Sequence, residues 1–227
     1  MASDHSAESM EAFEAELARL LTGVPPLGVE LVLEAAVALL DRKDASVGDL
    51  RLSSRLAAIA GDGASTHEAH RRATETCMIA LVRLVERAPS DTTIESLIEL
   101  VGSSDANNAA PSTRDAAALI AASALIETSR EPTWPDARAY DLLALVSDVV
   151  PARETAARLA ERLDARLAML AMRDGDVDRH VVSMRRSVEL SRSLGREPSV
   201  KTLDAIATTL VDLGAPEAVE ACRELLA

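Results

Sequence analysis

The stretch Pro151-Ala-Arg-Glu-Thr-Ala-Ala-Arg-Leu-Ala-Glu-Arg-Leu-Asp-Ala-Arg-Leu-Ala-Met-Leu170 decides the fold class. Ala156, Leu159, Ala160, Leu163, Leu167 and Leu170 recur at three- and four-residue steps. They therefore line one side of an α-helix, while Arg153, Arg158, Glu161, Arg162 and Arg166 fall on the other. The same stripe recurs as Ala73, Cys77, Ala80, Leu81 and Leu84, and again as Leu203, Ile206, Ala207, Leu210 and Leu213. An Ala- and Leu-rich contact surface lets helix axes approach closely, so antiparallel pairs joined by short loops are the expected product.

Gly and Pro stops, with Ser, Thr, Asp or Pro starts, divide the chain into roughly eleven segments of helical period. They begin near Ala7, Leu27, Val47, Ser65, Asp91, Ser112, Thr133, Pro151, Asp176, Pro198 and Ala215, and no strand pattern stands out. Ser65 with Glu68, and Ser112 with Asp115, have capping-box spacing and predict two helix starts. The expected fold is all-α, with antiparallel helix pairs stacked as a short α-solenoid or a helical bundle. The polar stretch Gly102-Ser-Ser-Asp-Ala-Asn-Asn-Ala-Ala-Pro111 lacks period and is the candidate linker. It predicts an N-terminal helical region over 1–103 and a C-terminal repeat-like region over 111–227, or one continuous domain. Residues 1–110 carry 18 acids and 9 bases against 19 and 15 in 111–227, so the acidic excess sits mainly in the first half.

The 227 residues are 48% hydrophobic and 27% charged, enough for one sizeable core or two small ones. A net charge of −13 opposes unspecific attraction to phosphate backbones, which disfavours a nucleic-acid coat protein. Phe13, Trp134 and Tyr140 are the only aromatics, too few for a base- or sugar-stacking surface. Two cysteines, Cys77 and Cys222, both inside helical patterns, point to a reducing compartment. The acidic N-terminal segment lacks the basic and apolar regions of an export signal, and no stretch approaches 18 uncharged apolar residues. A cytoplasmic protein without a membrane partner is expected.

Sliding the chain by 39 residues aligns Ser112-Thr-Arg-Asp-Ala-Ala-Ala-Leu-Ile-Ala with Pro151-Ala-Arg-Glu-Thr-Ala-Ala-Arg-Leu-Ala, and Gly175 with Gly214. Two helices plus turns per unit is what a solenoid repeat requires, because each pair leaves an apolar face for the next to cover. The segment from Lys201 to the C-terminus, with its Leu213-Gly214 turn followed by Glu217-Ala218-Val219, resembles a tetratricopeptide helix pair. Arg173-Asp-Gly175-Asp is similar to a second such turn, although His180 stands near the family's usual Ala. The likeness covers 164–227; the middle, with Arg114 and Arg153 one turn into Ala-rich helices, is as similar to a HEAT-type repeat. The resemblance implies a stacked-helix scaffold that binds other proteins on a concave surface, and it carries over no catalytic residues.

Asp174-Gly-Asp-Val-Asp178 alternates carboxylates like the opening of a calcium loop, but Arg179 and Arg185 occupy the positions that require Gly and Glu. His67 and His70 share a helix face, yet two imidazoles without further ligands make no metal site. Gly61-Asp-Gly-Ala-Ser-Thr66 lacks the Lys and preceding strand of a phosphate loop, and no nucleophile motif is present. No catalytic residue, metal or cofactor is nominated. The local basic strip is Arg179, Arg185, Arg186, Arg192 and Arg196, and the second candidate contact is the corner of Trp134, Arg138 and Tyr140, residue types that dominate interface energetics. These residues predict a non-catalytic protein–protein interaction module binding a protein, a peptide or another copy of itself. The alternatives are a nucleic-acid-linked regulator using the Arg179–Arg196 strip, which the net charge disfavours, and an all-α enzyme with an unrecognised site.

Overall fold

In the computed structural model, which describes residues 26–128, 136–171 and 177–197 together with 200, 204, 207, 208 and 211, every regular element is helical. The order is α1 (Pro26–Leu40), α2 (Val47–Asp62), α3 (His67–Arg87), α4 (Asp91–Gly102), a 3-10 turn (Ser104–Asn108), α5 (Pro111–Thr128), α6 (Ala137–Ala144), α7 (Val150–Ala171) and α8 (Val177–Ser193). The all-α expectation holds for the described residues. The segments expected from Ala7 and Ala215 lie outside them, as does most of the Leu203–Leu213 stripe. The chain divides into two compact units, Met1–Ala117 and Ala118–Ala227, with the division inside α5.

Helix starts follow local chemistry. At α2, Ser46 Oγ accepts from the Asp49 amide at 3.1 Å while the Asp49 carboxylate accepts from the Ser46 amide at 2.9 Å, a complete capping box. At α3 the cap is Thr66, whose hydroxyl accepts from the Ala69 amide, and not Ser65. The residue nearer the first helical turn has the shorter reach. The expected Ser112–Asp115 box is likewise displaced: α5 already begins at Pro111, whose fixed φ suits the first helical position, and Asp115 is buried.

In the first unit α1 buries Val29, Leu33, Ala36 and Leu40, the i, i+4, i+7, i+11 ridge of one face. α2 lies antiparallel to α1, with a Cβ on Gly63 at its end falling 3.2 Å from the Val29 side chain at the start of α1. Ser53 Oγ donates to the Ala36 carbonyl at 2.8 Å, so a hydroxyl buried between these helices is satisfied. α3 covers both, and Ala57, Ala60 and Ala73, each at most 1% exposed, give the close approach that the sequence predicts. The expected α3 stripe, Ala73, Cys77, Ala80, Leu81 and Leu84, is buried throughout. The Gly102–Pro111 stretch belongs to this unit: Ala106 and Ala109 are buried, and the Ala110 amide donates to the Glu75 carboxylate at 2.7 Å.

In the second unit α7 presents the predicted stripe, with Ala156, Leu159, Ala160, Leu163, Leu167 and Leu170 all buried. Leu142 and Leu143 of α6, and Met184, Val188 and Leu190 of α8, complete this core. The end of α8 is a Schellman turn: Gly195 has φ +63°, its amide donates to the Arg192 carbonyl, and the Arg196 amide reaches back to the Ser191 carbonyl. Arg153 finishes the helix by donating to the Leu194 carbonyl at 2.9 Å and the Ser193 carbonyl at 3.2 Å. Other arginines act alike at orphaned helix-end carbonyls, Arg83 on Leu40 at 2.6 Å and Arg166 on Ile126 at 3.1 Å.

Candidate interaction cleft

Three helices of the first unit leave a cleft of about 700 Å³ between them. α3 supplies its floor through Cys77, Leu81 and Leu84, at i, i+4 and i+7. α2 supplies one wall with Arg51, Arg55 and Ala58 at the same spacing, and α4 the other with Thr92, Thr93, Ser96, Glu99, Leu100 and Ser103. Asp105, in the 3-10 turn, closes one end. The floor residues are themselves buried, so the cleft presents chiefly its charged and hydroxylic rim.

The two ends of the cleft differ in charge. α2 and α3 are antiparallel, since a Cβ on Gly61 near the end of α2 would lie 3.6 Å from the Ala73 side chain near the start of α3. The Arg87 guanidinium at the end of α3 donates to the Ala45 carbonyl just before α2. α4 runs back along α3, because Asp105, just after α4, meets His70 in the first turn of α3. Arg51, Arg55, Thr92 and Thr93 therefore gather at one end, and Glu99 and Asp105 at the other.

His70 holds the acidic end closed. Its Nδ1 lies 3.1 Å from the Gly61 carbonyl and its Nε2 lies 3.1 Å from an Asp105 carboxylate oxygen. Both partners are acceptors, so only the imidazolium satisfies both at once. The Gly61 carbonyl, then the Asp105 carboxylate and the charge of Asp62, raise the His70 pKa above its ordinary value against the opposing effect of burial. His67, three residues earlier in α3, is exposed. Among the described residues no three His, Cys, Asp or Glu side chains are grouped to hold a metal ion. Burial pushes the Cys77 thiol up to about 11, which keeps it protonated and poorly nucleophilic at neutral pH.

The residues singled out in the sequence lie elsewhere, in the second unit. Trp134 is outside the described residues. Arg138 closes on Asp136, with Nη2 at 2.7 Å and Nε at 3.1 Å from the carboxylate, while that carboxylate caps α6 through the Arg138 amide. The Arg138 guanidinium, outweighing partial burial, holds the Asp136 carboxyl below its ordinary range. Tyr140 is 4% exposed: α6 turns its ring into the core, so it is not offered to a partner. Burial, then the nearby Asp164 charge, raises its phenol pKa, and its hydroxyl has no hydrogen-bond partner.

The basic strip is divided as well. Arg186 is half-buried, donates to the Ala137 carbonyl at 3.0 Å and lies 3.7 Å from the Asp141 carboxylate, tying α8 to α6. Arg196 is carried inward by the Gly195 turn onto Asp164, which is 2% exposed and also accepts from Ser187. Arg179, Arg185 and Arg192 keep exposed side chains. Asp164 escaped the sequence reading although its position signals burial, four residues after Ala160 and three before Leu167 on the oily stripe. Arg51 and Arg55 gave no such signal, since an i, i+4 pair of arginines on a polar face is ordinary.

The chain matches no family model, no curated protein and no solved structure. No helix among the described residues is long and apolar enough to cross a membrane.

Proposed function

We propose that this protein is a non-catalytic interaction module of the cytoplasm, a helical scaffold that receives a protein or peptide segment along the cleft over α3. The observation that carries the reading is the cleft's rim, in which Arg51 and Arg55 of α2 stand across from the hydroxyls and Leu100 of α4. A rim of this kind selects a partner by charge and hydrogen bonding. The tetratricopeptide-like or HEAT-like reading of 164–227 and of the middle of the chain belongs to the same proposal, in which helix hairpins pile up and a face of the pile does the binding. The exposed Arg179, Arg185 and Arg192 favour α8 as a second contact surface for an acidic partner.

A display selection of random twelve-residue peptides against the full chain tests the cleft. Enriched sequences are expected to carry at least one acid. The substitutions R51E and R55E together are expected to weaken the best binder at least tenfold while leaving helical circular dichroism unchanged. R185E with R192E leaves it unaltered. No enrichment, or binding indifferent to R51E and R55E, would reject the cleft; loss only with R185E and R192E would move the module to α8.

A further inference from the structure

The turn that closes the acidic end of the cleft is fastened by a group that titrates. We infer that His70 is a proton-controlled latch: its protonated ring pins the 3-10 turn to α3, and loss of the proton frees Asp105 and lets the turn open locally while α2 and α3 stay packed. Three observations carry this. First, the ring stands between two oxygens, with Nδ1 3.1 Å from the Gly61 carbonyl and Nε2 3.1 Å from the Asp105 carboxylate. A neutral imidazole has one N–H and one lone pair, so without the extra proton one nitrogen faces an acceptor with nothing to donate. The His70 side chain is 30% exposed and that of Asp105 49%, which leaves the ring open to proton exchange with water.

Second, the two partners differ in freedom. Gly61 lies in the last turn of α2, a helix whose Ala57 and Ala60 are wholly buried, and its carbonyl also accepts from the Ala64 amide at 3.2 Å. Asp105 sits on a five-residue turn. A proton on Nε2 alone would set the Nδ1 lone pair against a carbonyl that cannot move away. Neutral His70 therefore keeps its proton on Nδ1, and the Asp105 carboxylate withdraws to water. Third, little else holds the turn. Its buried side chains Ala106 and Ala109 are single methyls and hide little apolar area. Its own bonds, from the Ala106 amide to the Ser103 carbonyl at 3.3 Å and from the Ala109 amide to the Ala106 carbonyl at 3.2 Å, are long, as tight 3-10 geometry makes them. A Cβ on Gly102, where α4 leads into the turn, would meet nothing within 4 Å. Beyond the turn, the Ala110 amide is tied to Glu75 at 2.7 Å without His70, which confines the opening to the residues between Gly102 and Ala110.

The charged groups that face the ring are Asp62 at the end of α2 and Asp105 of the turn, and α4 brings Glu99 to the same end of the cleft. On α3 itself His67 and Glu68 stand nearby, while Arg71 is engaged by Glu68 at 2.7 Å and Glu75 at 2.9 Å. The facing carboxylates favour the imidazolium, so the latch is closed at acidic pH and released as pH rises. Asp105 lines the cleft, so its release adds a carboxylate to the end that holds Glu99. That consequence for a bound partner rests on the proposed interaction function; the latch does not.

Amide hydrogen exchange of the ligand-free full chain, followed by NMR between about pH 5.5 and pH 9 and divided by intrinsic rates, tests the latch. Protection at Ala106 and Ala109 is expected to fall at least tenfold along the His70 titration. The Ala88 amide, bonded to the Leu84 carbonyl at the other end of α3, is expected to keep its protection. Nitrogen-15 shifts of the neutral ring are expected to place its proton on Nδ1. In D105N the side-chain amide can donate to the bare Nε2 of the neutral ring, so the turn is expected to stay closed across the range, which separates the latch from a general effect of alkali. Protection at Ala106 and Ala109 that is indifferent to pH, or that falls equally in D105N, would overturn the latch. A parallel fall at Ala88 would overturn local opening, and a neutral ring with its proton on Nε2 would overturn the release of Asp105. No peptide is present, so failure of the cleft to bind one bears on the interaction function alone.

Discussion

Two side chains show how a single residue's surroundings set its energetics. His70 bridges the Gly61 carbonyl and the Asp105 carboxylate, and its pKa is raised in the folded state. A raised histidine pKa contributes stability that is fully present below the unfolded value of about 6.5 and is lost as pH rises through the folded pKa. The urea midpoint is therefore expected to fall between pH 6 and pH 8 in the native chain and to fall less in His70→Asn. An identical pH dependence in the two proteins would show that the bridge carries no proton-linked stability. Asp164 is the complementary case, a carboxylate inside the second unit that accepts from Ser187 and pairs with Arg196. Replacing Asp164 with Ala leaves a largely buried guanidinium without its carboxylate, an arrangement that costs about 3 kcal/mol. Urea denaturation followed by circular dichroism checks this, and a loss under about 1 kcal/mol would mean that the Arg196 head group escapes to water.

At the scale of the element, helix ends decide where these residues sit. Most of the starts expected from Gly, Pro and capping residues coincide with helices to within a residue or two: Val47 and Asp91 begin α2 and α4, and Leu27, Ser112, Pro151 and Asp176 each lie one residue from the observed start. Ser65 lies two residues before α3 because Thr66 supplies the cap; the start expected at Thr133 lies outside the described residues, and Asp136 caps α6. The Gly195 turn shows the reach of one such end. It stops α8, reverses the chain in a left-handed conformation and delivers Arg196 to Asp164. A Cβ at Gly195 would also lie 2.9 Å from the Arg153 guanidinium that caps the same helix. Gly195→Ala is expected to destabilise the protein by about 1 kcal/mol from backbone strain, with further loss as Arg153 is displaced from the Ser193 and Leu194 carbonyls. A thermal midpoint unchanged from the native chain would contradict both effects.

Across the whole molecule the arginine bias takes on a structural meaning. The sequence holds 22 arginines and 2 lysines. Arg83, Arg87, Arg153, Arg166 and Arg186 donate to backbone carbonyls, and Arg196 pairs with a buried acid. A planar guanidinium offers several donors in a fixed fork and is less strongly hydrated than an ammonium, so it closes helix ends at lower desolvation cost. The local basic run from Arg179 to Arg196 therefore overstated the surface available for anion contact. What the amino-acid order determined by itself is the helical class, the oily faces of α3 and α7 and most of the helix starts, because periodicity, caps and turns act within a few residues. Only the tertiary structure decided that Tyr140, Asp164 and Arg196 turn inward, that His70 latches the 3-10 turn, and that α2, α3 and α4 leave a cleft with unlike ends. Those outcomes join positions far apart in the chain, 35 residues for His70 and Asp105 and 32 for Asp164 and Arg196. Burial and pairing at such separations are settled by which faces meet, and no local pattern encodes that meeting.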